Sequence, residues 1–267
     1  MTLRRTILVI GAATLVCRTA PAATPALLEY EVRAAESGTL LHRVSGWTER
    51  AADDRRVTAA SRAVFPNGAV LEQRASFAAA RPPAAPRCLD WEWSVVDAAG
   101  SVAASGRGRC VAAAFPFLAR PLPADAYPSY PPYALLGFVS THLGLGESRR
   151  SASYEYVLMD ASLVRLDLRV ERRERVEVPA GSFDCYRVRM RPDVRSILPD
   201  LPRIVAAFAS FFAPTPTFWI TAGEPQTLVK FAGIIGPPRS PDVVIELARV
   251  TPRDGERLGE AASLVAR

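Results

Sequence analysis

From Val164 to Val170 apolar and charged residues take turns, and a chain that alternates in this way can bury only one face of an extended strand. Val164, Leu166, Leu168 and Val170 hold one phase, and Arg165, Asp167 and Arg169 hold the other. The pattern runs straight into V-E-V-P-A-G-S-F-D-C-Y-R-V-R-M, residues 176–190. There Pro179-Ala180-Gly181 supplies a preset φ followed by a residue that tolerates a positive one, which predicts a β-hairpin.

The rest of the chain extends that text. Leu28, Tyr30 and Val32 alternate with Glu29, Glu31 and Arg33, and after a turn at Gly38 the phase resumes with Leu40, His42, Val44 and Gly46. Residues 59–64 and 70–77 flank Pro66-Asn67-Gly68, a second hairpin signal. A third is D-A-A-G-S, Asp97 to Ser101, with Gly100 in the left-handed position. Strands close the chain at 217–220, 227–231 and 243–249. The expectation is a mainly β fold: a strongly curved antiparallel sheet, an incomplete or half-open barrel, with two short helices.

Of those helices, one runs from Tyr133 to Leu143, opened by Pro131-Pro132 and stopped by Gly144. The other is the anomaly. Asp200 is an N-cap, and Leu201, Ile204, Val205, Phe208, Phe211 and Phe212 follow at helical spacing, leaving a helix apolar nearly all round. Such a helix is buried on most sides or faces something greasy, as a plug or as a lid. Between the β stretches, residues 115–132 hold six prolines and read as an ordered crossing loop.

Arg4-Arg5, the apolar run from Ile7 to Val16 and the small residues Ala20-Pro21-Ala22 form the tripartite pattern of a secretory signal peptide. The expected organisation is a leader over 1–22, one β-rich domain over 23–254 and a polar tail over 255–267. A periplasmic location follows. Cys17 is not preceded by the small residue a lipoprotein anchor wants. Without the leader the net charge of +6 falls to +3 through loss of Arg4, Arg5 and Arg18. The basic residues are nearly all Arg, with no cluster interleaved with aromatics, so nucleic acid is not an expected partner.

In an oxidising compartment cysteine spacing matters. Cys88 and Cys110 lie equidistant from Ala99, so a symmetric hairpin sets them opposite each other and predicts a disulfide. The same register sets Trp91 against Arg107, which is either a cation–π pair or simply the edge of a core that the tryptophans cover. Cys185 is then left unpaired within a strand, a small buried hydrophobe rather than a nucleophile.

The residues V-E-V-P-A-G-S-F-D-C-Y-R-V, with F-W-I at 218–220 and I-E-L at 245–247, resemble the exported bacterial family catalogued as domain of unknown function 3108. The resemblance implies a curved sheet similar to the incomplete barrels of periplasmic lipoprotein carriers. It implies no catalytic residues.

Chemistry has little to draw on. His42 and His142 are the only histidines. No nucleophile-elbow, zinc-protease, phosphate-loop or dinucleotide motif occurs, so no enzyme, metal or cofactor is expected. The remaining signal is apolar. An inner sheet face carrying Leu166, Leu168, Val188 and Leu247, together with the helix residues Leu201, Ile204, Val205, Phe208, Phe211 and Phe212, is the recipe for a lipid-binding cavity. The expected function is a non-enzymatic periplasmic carrier of a lipidic or other apolar ligand, with peripheral membrane contact as a further expectation. The alternative is an envelope assembly factor whose partner is a protein, reached through sheet edges or through Tyr127, Tyr130 and Tyr133.

Overall fold

The computed structural model describes residues 26–50, 56–78, 87–109, 127–128, 144–157, 163–197, 201–202, 204–205, 215–223, 226–234 and 241–252. Within them the alternating stretches are strands: β1 (Ala26–Ala34), β2 (Leu40–Arg50), β3 (Arg56–Val64), β4 (Val70–Ala78), β5 (Arg87–Val96) and β6 (Val102–Arg109). After these come β7 (Tyr127–Pro128), β8 (Ser151–Val157), β9 (Leu163–Val178), β10 (Gly181–Pro192), β11 (Thr217–Thr221), β12 (Leu228–Ile234) and β13 (Asp242–Pro252). A four-residue helical turn, α1 (Val194–Ile197), follows β10.

Local chemistry explains the turns. Asp97 Oδ1 accepts the N–H groups of Ala99 (2.9 Å) and Ser101 (2.8 Å), which leaves Gly100 to adopt φ 84°. Gly68 takes φ 82° in the β3–β4 turn, where Asn67 Oδ1 accepts from Ala69 N–H at 3.1 Å. The β9–β10 hairpin turns through Pro179-Ala180, with Val178 paired to Gly181.

All of these strands form one sheet in the order β6-β5-β4-β3-β2-β1-β13-β12-β11-β10-β9-β8-β7. Each half is therefore a meander. The first spreads outward from β1 and the second from β13, and the antiparallel β1–β13 pair joins them at the centre, in a register running from Ala26↔Pro252 to Ala34↔Val243. Only β7 runs parallel to its neighbour, over two residues. Among the described residues the sheet does not close.

The sheet is nonetheless curved. Four strand spacings separate β9 from β13, about 19 Å if the sheet were flat, yet Ala180 N–H donates to Leu247 O at 3.0 Å. The hairpin tip thus folds past the ends of β11 and β12 and lands on β13. Beneath it Val178, Cys185, Val229 and Leu247 form a small buried cluster, with Leu28 and Tyr30 packed against it. The main core draws on both meanders, from Val32, Val44 and Phe77 to Leu168, Val188, Phe218 and Phe231. Each such side chain contributes roughly 1.5–3 kcal/mol by leaving water.

One expectation needs correction. In the β5–β6 hairpin the register shifts between Val95 and Val96, so Trp91 lies opposite Gly108 and Arg107 opposite Glu92. A bulge adds one residue to β6 and rotates its arginines to the other face. The expected Trp91–Arg107 pair is thereby lost. Cys88 pairs in register with Phe77 of β4, while Cys110, and with it the expected disulfide, lies outside the described residues. Of the apolar helix, only residues 201, 202, 204 and 205 are described. Ile204 and Val205 are helical but 86% and 47% exposed, so the apolar stripe is not buried at these two positions; helical spacing proposes a face and only docking buries it. Leu201 is half-buried, and Phe208, Phe211 and Phe212 lie outside the described residues, as does the 133–143 helix.

Candidate functional site

Strand pairing builds the site row by row on the core-facing side of β2 to β6. One row reads Gly46, Ser61, Gln73, Trp93, Gly106, each directly opposite the next. The row on one side is Val44, Ala63, Leu71, Val95, Ala104, and on the other Thr48, Ala59, Ala75, Trp91, Gly108. Alternation assigns these residues to a single face, and Val44, Ala59, Ala63, Leu71 and Ala75 are buried in the main core with Trp91, Trp93 and Val95 packed against it. The result is a floor of small side chains walled by two tryptophans. A Cβ on Gly106 would come within 2.6 Å of Trp93 Nε1, so the indole lies directly over the β6 backbone at that glycine.

At the centre of this floor sit two polar side chains. Ser61 is 2% exposed and Gln73 7%. Ser61 Oγ and both Gln73 amide atoms, Oε1 and Nε2, are shut off from water and make no hydrogen bond among the described residues. A buried polar group left without a partner costs about 1–3 kcal/mol, and native proteins keep few of them. No residue of the three rows carries a charge. The charged residues Arg62, Glu72, Arg74, Asp90, Glu92 and Arg107 occupy the opposite phase, where an open recess of about 580 Å³ is lined by Arg56, Thr58, Arg74, Ser76, Asp90 and Glu92 among others.

One further buried polar residue is in phase with the floor. His42, next along β2 from Val44, is 8% exposed and stacks on Phe65 with ring centres 4.7 Å apart. Burial lowers its pKa from the ordinary 6.5, so it is held neutral.

Those residues expected to line a cavity that lie on strands fall in two buried clusters. Leu166, Leu168 and Val188 come together in the main core at 7%, 1% and 0% exposure, and Leu247 joins the smaller cluster under the hairpin tip. Cys185 is fully buried, and its thiol is pushed up to about 12 by burial first and then by the charges of Asp184 and Glu174. On β9 to β13, charged residues surround Trp219: its Nε1 donates to Glu174 Oε1 at 2.6 Å, and Arg187 and Lys230 lie 5.6 and 6.0 Å from its ring centre. Burial raises the Glu174 pKa, but the bonds from Trp219 and Arg172 outweigh it and leave the carboxyl below its usual range. Lys230 is paired with Glu246 at 2.7 Å and Arg187 with Glu171 at 3.1 Å, so this network laces strands together. Among the described residues no three His, Cys, Asp or Glu side chains gather as a metal site would require.

Sequence reading missed Ser61 and Gln73, although a signal was present. Each is a polar residue standing in the apolar phase of its strand, Ser61 between Ala59 and Ala63, and Gln73 between Leu71 and Ala75.

No protein family matches the chain, so the resemblance to domain of unknown function 3108 gains no support from a family match. No curated protein matches it by sequence. Two solved structures align over most of its length. One, described as a lipoprotein from Parabacteroides distasonis, is 12% identical, covers 85% of this chain and 95% of its own, and has a TM-score of 0.33. The other, described as an exported protein with a YmcC-like fold from Bacteroides fragilis, is 14% identical with the same coverages and a TM-score of 0.31.

Proposed function

We propose that this protein is a non-enzymatic carrier, working in the periplasm, for an apolar ligand of lipid type. The observation that supports the reading most is the buried, unpartnered Ser61–Gln73 pair in the middle of an uncharged, largely apolar floor. A site that binds a mostly apolar molecule needs a broad apolar surface and a few polar groups that fix its orientation. Here small side chains make up most of the floor, the tryptophans supply contact area, and three polar atoms lack partners that a ligand can provide. The ligand offsets the cost of keeping those atoms dry.

Native mass spectrometry of the protein purified from an envelope extract tests this. Bound lipid that is lost on delipidation and regained on adding total lipid extract is the expected result. Repeated absence of any adduct, before and after such addition, would sink the carrier reading.

A second reading, an assembly factor with a protein partner, is favoured by β6, which pairs on one side only among the described strands and exposes Val102 at 64%. Such an edge can accept a strand from another chain. In-cell crosslinking from a β6 position would then trap one protein partner, and substitutions at Ser61 or Gln73 would act only through stability.

A further inference from the structure

We infer that the ligand is electrically neutral and carries a carbonyl beside a hydroxyl, as a monoacylglycerol does, rather than an ionised head; this inference rests on the carrier reading above. The argument begins with what the two side chains offer. The Gln73 amide presents two N–H donors and one carbonyl acceptor, and the Ser61 hydroxyl can donate and accept. Since the two stand directly opposite each other on β3 and β4, their groups address one small volume. A ligand ester or amide carbonyl answers Gln73 Nε2, and a neighbouring ligand hydroxyl answers Gln73 Oε1 and Ser61 Oγ.

An ionised carboxylate fits worse on two counts. It accepts only, so it leaves Gln73 Oε1 facing another lone pair. It would also lie buried without a counter-charge, because the three rows carry none and the arginines of β3, β4 and β6 are in the opposite phase. Of the titratable side chains in phase with the floor, His42 is held neutral, and burial pushes the pKa of the Tyr30 phenol, opposite Val44, upward so that it too stays uncharged. Burying an unpaired carboxylate is far more costly than burying a hydrogen-bonded ester. A plain hydrocarbon avoids that penalty but leaves all three polar atoms as they were.

The test compares two probes of one chain length, monooleoylglycerol and oleate, by calorimetric titration of the delipidated full-length protein below probe aggregation and at pH 8. Monooleoylglycerol should bind at least tenfold more tightly. Gln73→Met, which keeps the length of the side chain, should erase that preference by weakening monooleoylglycerol alone, and Ser61→Ala should reduce it. Neither variant should melt below the wild type, since each removes a polar group that has no partner. Oleate binding as tightly as monooleoylglycerol, or a preference unmoved in Gln73→Met, overturns the neutral-head inference while the carrier reading stands. If neither probe binds, the inference is overturned, and the carrier reading falls with it only when total lipid extract also leaves nothing bound.

Discussion

His42 shows how a single buried side chain ties stability to pH. Its folded-state pKa is depressed by burial against Phe65, so on acidification the unfolded chain takes up the proton first. Stability is therefore intact above the unfolded value near 6.5 and falls as pH drops through it, until the folded value is passed. The expected outcome is a melting temperature that declines between pH 7 and 5.5, and a flatter profile in His42→Phe, measured by thermal denaturation followed by circular dichroism. Each kcal/mol lost corresponds to about 2–4 °C for a chain of this size. A wild-type profile flat over that interval would contradict it. At this scale the sequence was only partly informative. Cys185 could be read as an inert buried hydrophobe from its place within a strand. Whether Gln73 is satisfied depends on its neighbours across two other strands, which no local pattern contains.

Elements were far more legible than their registers. Hairpins at Gly68, at Gly100 and after Val178 follow from turn residues flanked by alternating runs, both of which are local. Bulges are not local. They shift the ladder between Glu29 and Tyr30, between Arg187 and Val188 and between Val95 and Val96, and the last of these replaces the expected Trp91–Arg107 pair with Trp91–Gly108. A bulge is fixed by how a strand must bend to keep its face on the core, so symmetry about a turn cannot reveal it. The corrected register assigns Gly106 a steric role beneath the Trp93 indole. Gly106→Ala should therefore destabilise by about 1–3 kcal/mol, as overpacking does, and should shift the tryptophan emission; urea denaturation with fluorescence detection reads both. A neutral substitution would mean that the indole moves aside freely. The apolar helix is the converse case. Its spacing from Leu201 onward is plain in the sequence, yet Ile204 is exposed, because periodicity marks a face without naming what covers it.

At the scale of the whole molecule, the sheet order was beyond sequence reading for a simple reason. Neighbours in each meander are neighbours along the chain, whereas the β1–β13 pair that unites them joins residues some two hundred positions apart, such as Tyr30 with Leu247. That single non-local pairing is where loop-closure entropy opposes folding most. It also has a consequence for engineering. Since Pro252 lies directly across from Ala26, a short turn can join the end of β13 to the start of β1 and convert the central pair into one more hairpin. New ends can then be opened between β6 and β8, at the rim of the sheet. Such a circular permutant should keep the native circular dichroism spectrum and fold faster than the parent in stopped-flow refolding. A permutant that fails to fold would show that the segment between β6 and β8 must stay unbroken. If it succeeds, the order of the two meanders along the gene is interchangeable, and the chain is better regarded as a ring of hairpins that happens to be cut at its middle.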